Sequence, residues 1–189
     1  MVTLKKTPSV AIILAGGNST RFGCDKAFYV PEGKTKTWVE ELVAKLTPVV
    51  SLIYISIQEK QLGKMNTLFS QNERIKLVVD EPELADYGPL GGLYSVSRML
   101  HGENCLITPV DVPHIQTADF VRLLAAQNVY VKTKEHDHYL MAHLPNFKSA
   151  IASCIQLDEH RVIHLLEKLG TAPLFFNDEL AFLNQNTPL

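Results

Sequence analysis

The sequence predicts an α/β fold of three layers with a mostly parallel central sheet, and two observations carry that prediction. Short apolar runs rich in Val and Ile recur at residues 10–14, 49–57, 75–79 and 105–108, and stretches with helical spacing separate them. The first run, Val10-Ala-Ile-Ile-Leu14, is apolar at every position, as a central strand covered on both faces requires. A chain of 189 residues with 46% hydrophobic content suits one domain, residues 1–189, around a single sizeable core.

After that strand the loop Leu14-Ala-Gly-Gly-Asn-Ser-Thr-Arg-Phe-Gly-Cys-Asp-Lys-Ala27 leaves the carboxyl edge of the sheet, where open α/β sheets hold ligands. Gly16, Gly17 and Gly23 allow positive φ and close approach to a guest, so exposed N–H groups can face phosphate oxygens. Arg21 adds a planar fork and Lys26 a compact charge, which makes a polyanion the expected guest. An ordinary strand-to-helix turn is the alternative, and the length of the loop argues against it. A Walker A loop is excluded because the glycine needed before Gly33-Lys-Thr35 is Phe28; the dinucleotide fingerprint fails because adjacent glycines are followed by none until Gly23.

Residues 31–34 read as a turn, and 37–46 as a helix with Trp38, Leu42, Val43 and Leu46 on one face. A strand at 49–57, a polar helical stretch to Phe69 and a strand at 75–79 bearing Asp80 follow. Next come a helix at 91–100, a strand at 105–108 ending near Asp111, and a helix at 118–126. Strands at 129–133 and 139–144 flank the polar turn 134–138. Helices at 147–155 and 162–168, a stop at Gly170 and a strand at 174–176 complete the series.

The formal net charge of −2 gives no global attraction to nucleic acid or anionic membrane, so positive potential must be local, as in Arg21, Lys26, Lys34 and Lys36. Cys24, Cys105 and Cys154 have no Cys-x-x-Cys spacing, which argues against a disulfide framework or zinc site and for a reducing cytoplasm. The apolar run after Lys5 and Lys6 is too short for a signal peptide or membrane helix.

Asp111 lies between Pro109 and Pro113, which restrict the backbone around its carboxylate. Such a group suits Mg²⁺, which is commonly held by one or two carboxylates plus substrate phosphates; a capping turn is the competing reading. Asp80 ends a strand, and Tyr87-Gly-Pro-Leu-Gly-Gly92 offers a second flexible entry to a helix, where backbone groups can meet a base edge or anion. His136, His138 and His143 tempt a metal reading, but no cysteine or established ligand spacing accompanies them.

These residues resemble the molybdenum cofactor guanylyltransferases, the MobA family, within the nucleotidyltransferases that share a Leu-Ala-(Gly/Ala)-Gly-x-x-x-Arg-(Met/Phe)-Gly…Lys loop. Three more pieces fall in that family's order: Asp80 with Ala85-Asp-Tyr-Gly-Pro-Leu-Gly-Gly-Leu93, Pro109-Val-Asp-Val-Pro113, and Asn184-Gln-Asn-Thr-Pro188. The resemblance implies a Rossmann-like sandwich of the nucleotide-diphospho-sugar transferase type. It also implies transfer of GMP from GTP to the terminal phosphate of molybdopterin, with release of pyrophosphate and with Mg²⁺ as cofactor.

On this resemblance Leu14, Ala15, Gly16, Gly17, Lys26, Asp80 and Asp111 bind nucleotide, Asp111 binds metal, and Arg21, Lys26 and Asp111 are catalytic. Gly88, Pro89, Leu90, Gly91, His160, Arg161 and Asn184 are the implied acceptor-binding residues, so the nucleotide half runs to about residue 113 and the acceptor half from 114 to 189. Transient contact with other molybdenum cofactor biosynthesis proteins or apo-molybdoenzymes is implied, and nucleic acid and membrane are not. The chain departs from the family in lacking a His-Pro pattern at 137–142, in Ser56 where some relatives carry Asn, and in stopping at Leu189. A cytidylyl- or sugar-phosphate nucleotidyltransferase and a non-catalytic nucleotide-sensing module are the alternatives.

Overall fold

The computed structural model describes residues 9–17 and 22–186. Its strands are β1 (Ser9–Leu14), β2 (Ile53–Ile57), β3 (Ile75–Val79), β4 (Asn104–Pro109), β5 (Val129–Lys132), β6 (Asp137–Leu144) and β7 (Ala172–Phe175). Its helices are α1 (Trp38–Leu46), α2 (Leu62–Phe69), α3 (Pro89–Ser97), α4 (Thr117–Ala125), α5 (Lys148–Gln156) and α6 (Val162–Leu169). Among the described residues these strands make one seven-stranded sheet, ordered β3-β2-β1-β4-β6-β5-β7. Only β6 runs against its neighbours, antiparallel to both β4 and β5.

Strand alternation explains the three layers. Ala11 and Ile13 of β1 face a core shared with α1, α2 and α4, whereas Val10 and Ile12 face one shared with α3, α5 and α6. A central strand therefore has no polar side, which is why its central residues are apolar throughout.

The chain builds outward from β1 through β2 to β3 along one face, then α3 carries it over the opposite face to β4 on the other side of β1. Strand order reverses at the β1/β4 boundary, and the crevice at the carboxyl ends of those strands is where such sheets bind ligands. Leu14 pairs with Pro109, and the Val110 amide donates to the Leu14 carbonyl at 3.1 Å, so the glycine loop and Asp111 leave the sheet side by side.

Several boundaries differ from the sequence expectation for local reasons. The strand expected at 49–57 starts at Ile53, because the amides of Val49 and Val50 both turn back to the Leu46 carbonyl. The helix expected at 37–46 excludes Thr37, which caps it: Thr37 Oγ1 accepts from the Glu40 amide and Glu40 Oε2 from the Thr37 amide. The helix expected at 91–100 begins at Pro89, a first-turn position that needs no amide donor. β6 starts inside the expected turn, at Asp137, and the last strand starts earlier, at Ala172. Gly170 ends α6 in the left-handed conformation, as its place in the sequence suggests.

Candidate active site

Lys26 is placed by its neighbours. Asp25 accepts from the Ala27 amide at 3.0 Å and so starts the short 3₁₀ turn Lys26–Phe28. The rings of Phe22, Tyr29 and Trp38 pack mutually at 5.0–5.3 Å and brace that turn against α1. The Lys26 ammonium stands 5.6 Å from the Phe22 ring centroid and donates to Asp111 Oδ2 at 2.7 Å and Asn186 Oδ1 at 2.8 Å. The Gln185 amide donates to the Asp111 carbonyl at 2.8 Å, so the C-terminal segment also holds the strand-end turn.

Both partners of the ion pair keep a little exposure, 13% for Lys26 and 14% for Asp111, which leaves the pair open to a ligand from the crevice. Asp111 Oδ1 makes no hydrogen bond among the described residues. Arg21, expected beside Lys26, lies outside the described residues, as does Thr187.

Asp80 follows β3, and its carboxylate turns back toward β2, where Ser56 Oγ donates to Oδ1 at 2.7 Å. Burial pushes this carboxyl up to about 6, and the Ser56 hydrogen bond opposes the rise only in part. A Cβ on Gly16 would come within 2.4 Å of Asp80 Oδ2, and one on Gly92 would lie equally close to Ser56 Oγ. Gly16 thus gives Asp80 clearance. Positive φ, expected along the loop, occurs at Gly23 and at neither Gly16 nor Gly17.

The loop's carbonyls are already engaged. Gln61 Nε2 donates to the Ala15 carbonyl at 3.0 Å, and Gln58 Nε2 donates to that of Gly16. The Ala15 amide is taken by the Ser56 carbonyl at 2.9 Å, whereas those of Gly16 and Gly17 make no hydrogen bond among the described residues. Sequence reasoning missed Gln58 and Gln61, which it placed in a polar helical stretch; the readable signal was Gln-x-x-Gln directly after a buried strand.

The expected acceptor residues divide into two kinds. Leu90 is fully buried, and a Cβ on Gly91 would sit 2.5 Å from the Leu84 carbonyl, so this part of the loop is packed rather than open. Gly88 and Pro89 are exposed. Across from them Tyr87 stacks on His160, centroids 4.0 Å apart and planes 9° apart, and Asp158 accepts from the Tyr87 hydroxyl at 2.6 Å. Arg161 is exposed beside His160; Asn184 is exposed, while Asn186 reaches Lys26.

The ring of His160 has an acceptor on each nitrogen, the Asp86 carbonyl at 3.2 Å and Asp158 Oδ1 at 3.0 Å. Only the imidazolium can donate to both, so these partners, the Asp86 carbonyl foremost, hold its titration above the ordinary 6.5. A midpoint raised in the folded state means the contact is complete below the unfolded value and is lost as pH rises through the folded one. NMR titration of the His160 ring should show that raised midpoint, and Asp158→Asn should bring it down.

His136, His138 and His143 have separate partners. His136 meets Glu179, His138 meets Thr133 Oγ1 at 3.0 Å, and His143 lies between the Ala126 carbonyl at 2.6 Å and Ser9 Oγ at 3.2 Å. Two surface cavities, of 760 and 360 Å³, border α1, and the residues lining them include none of Lys26, Asp80 or Asp111.

The family model described as MobA-like NTP transferase domain matches residues 11–172, from β1 to the start of β7. The chain belongs to the MobA-like NTP transferase family. It is therefore a nucleotidyltransferase, of a family that typically uses a divalent metal. A molybdenum cofactor guanylyltransferase of Campylobacter jejuni is 27% identical to it, over 93% of this chain and 89% of the relative. The crystal structure of molybdopterin-guanine dinucleotide biosynthesis protein A from Archaeoglobus fulgidus superposes with a TM-score of 0.69 at 18% identity, covering 95% of this chain and 93% of that one. A 4-diphosphocytidyl-2C-methyl-D-erythritol synthase from Anaerococcus prevotii does so with a TM-score of 0.70 at 13% identity, covering 96% and 93%. No helix among the described residues is long and apolar enough to cross a membrane.

Proposed function

We propose that this chain transfers GMP from GTP to the terminal phosphate of molybdopterin, releasing pyrophosphate and forming the guanine dinucleotide. The observation that carries the reading is the Lys26–Asp111 pair at the β1/β4 crevice, beside two loop amides that make no hydrogen bond among the described residues. The guanylyltransferase named above, similar along nearly the whole chain, supports guanine as the base.

In-line attack on the α-phosphorus requires anionic groups to be held together and charge on departing pyrophosphate to be neutralised. Lys26 supplies a cation for that charge, already fixed by Asp111 and Asn186 and so in no need of reorienting. Arg21 is assigned to the same task by its place in the motif. A phosphate monoester is already ionised near neutral pH, so the acceptor needs no general base.

Mg²⁺ is the proposed cofactor, and Asp111 fits it. Among the described residues one carboxylate oxygen is held by Lys26 while the other makes no hydrogen bond, and no set of three His, Cys, Asp or Glu forms a complete cage. An ion held chiefly by substrate phosphates and water needs just such a single anchor. When bound it would screen the phosphates and stabilise the departing charge.

Residues 1–113 serve the nucleotide and 114–189, with the Tyr87–His160 stack, serve the acceptor. There Gly88, Pro89, His160, Arg161 and Asn184 offer exposed groups, and Leu90 and Gly91 offer backbone only. The setting is cytoplasmic, where molybdopterin and other molybdenum cofactor proteins would be met.

The test is pyrophosphate release with Mg²⁺ and molybdopterin, using GTP, CTP or ATP. Release dependent on GTP and on the acceptor is expected. Preference for CTP would move the chain to the cytidylyltransferases, and binding without release would make it a nucleotide sensor.

A further inference from the structure

We infer that Gln61 is a positioning residue, whose amide fastens both ends of the glycine loop and so fixes where Lys26 presents its charge. The inference deepens the nucleotidyl-transfer reading of this site and rests on it for the activity readout. Gln61 ends the 3₁₀ turn Glu59–Gln61 just after β2 and is 2% exposed. Its Oε1 accepts from the Gln58 amide at 2.7 Å, while its Nε2 donates to the Ala15 carbonyl at 3.0 Å and to Asp25 Oδ2 at 2.7 Å.

The amide fits in one orientation. Reversed, it would set its oxygen against a carbonyl and a carboxylate and its NH₂ against the Gln58 N–H. Ala15 is the first residue after β1, and Asp25 uses its other oxygen to cap the Ala27 amide in the turn that carries Lys26. Positions 15 and 25, on either side of the nucleotide loop, are thus tied to one buried side chain. With Gln58 on the Gly16 carbonyl, the carbonyls of 15 and 16 are satisfied within the protein, and the Gly16 and Gly17 amides, unbonded among the described residues, can serve a ligand. Gln61 itself touches no reacting group. It acts through Asp25 and Ala15, by keeping Lys26 and the loop amides in place before substrate arrives, and a displacement of about 1 Å at such groups costs about 10²-fold in rate.

Two variants test this. Gln61→Leu removes all three hydrogen bonds at similar volume; kcat at saturating GTP should fall at least about tenfold while the KM for GTP stays within about threefold. Gln61→Glu places a carboxyl against Asp25 and the Ala15 carbonyl, where only the protonated acid can donate. Its kcat should therefore recover as pH falls and be lost as pH rises, a limb that wild type lacks. Wild-type kcat in both variants across the pH range overturns the inference, as does a lowered melting temperature with unchanged kcat per folded molecule.

Amide hydrogen exchange decides independently of turnover. In Gln61→Leu the Ala27 amide should exchange at least about tenfold faster while those of β1 and β2 hold, and an unchanged Ala27 amide overturns the clasp. If wild type turns over no nucleotide, the transfer reading fails and the exchange result alone judges Gln61.

Discussion

Asp111→Asn should fold as wild type does and lose about 10²–10³-fold in turnover, roughly 3–4 kcal/mol of transition-state stabilisation. Folding should survive because the turn around Asp111 is fixed from outside its carboxylate. The Gln185 amide bonds the Asp111 carbonyl, the Val110 amide bonds the Leu14 carbonyl, and Val110 and Val112 are buried on either side. Turnover should fall, because an amide oxygen holds Mg²⁺ poorly among phosphates and among the described residues no cluster of three His, Cys, Asp or Glu could hold the ion instead. The amide also breaks the ion pair that sets the Lys26 ammonium at 2.7 Å. Since Lys26 and Asp111 act as one unit, Lys26→Met should lose activity to a similar degree, and the double variant should lose far less than the product of the two. Pyrophosphate release and the melting temperature measure both halves of the expectation. Near-wild-type turnover in a folded Asp111→Asn protein would remove Asp111 from the metal role.

How far the sequence exposed this arrangement depends on what each signal reports. Apolar runs report strands covered on both faces, so β1 and β4 were legible, and β3, an edge strand, showed through its β-branched residues; with them came the crevice and the placement of Asp80 and Asp111. The end of α1 at Leu46 was legible but the start of β2 was not, because Val49 and Val50 are as β-branched as a strand while their amides turn back to the Leu46 carbonyl. Glycines were legible as special but ambiguous in cause. Gly16 and Gly92 make room for Asp80 and Ser56, Gly91 makes room for the Leu84 carbonyl, and only Gly23 and Gly88 of this group need positive φ. Gln58 and Gln61 were missed as site residues because Gln-x-x-Gln after a buried strand reads only as the cap of a helical turn. Their meaning depends on β2 ending beside the loop of β1, a contact between segments far apart in sequence.

GTP should bind about 10⁴-fold more tightly than ATP, and its affinity should decline as pH falls through about 6. Guanine offers an O6 acceptor beside N1–H and N2–H donors, and the crevice holds the complementary set: the Gly16 and Gly17 amides, unbonded among the described residues, and the Asp80 carboxylate packed against Gly16. Adenine would leave those groups unpaired, which is the costly kind of mismatch. The carboxylate must be ionised to accept two donors, yet burial favours its protonated form in the free protein. The two effects have opposite signs. Without ligand, the raised folded value makes Asp80 favour the native state most at acid pH, and that advantage is lost as pH rises through about 6. With GTP, the stabilisation that binding confers should instead grow over the same interval. Asp80→Asn should abolish both trends together, leaving melting temperature less dependent on pH and GTP no tighter than ATP. Calorimetric titration with GTP, CTP and ATP at pH 5.5 and 8, alongside melting curves, measures each trend separately. A GTP affinity independent of pH would move base recognition away from Asp80, and CTP binding as tight as GTP would overturn guanine as the base while leaving nucleotidyl transfer in place.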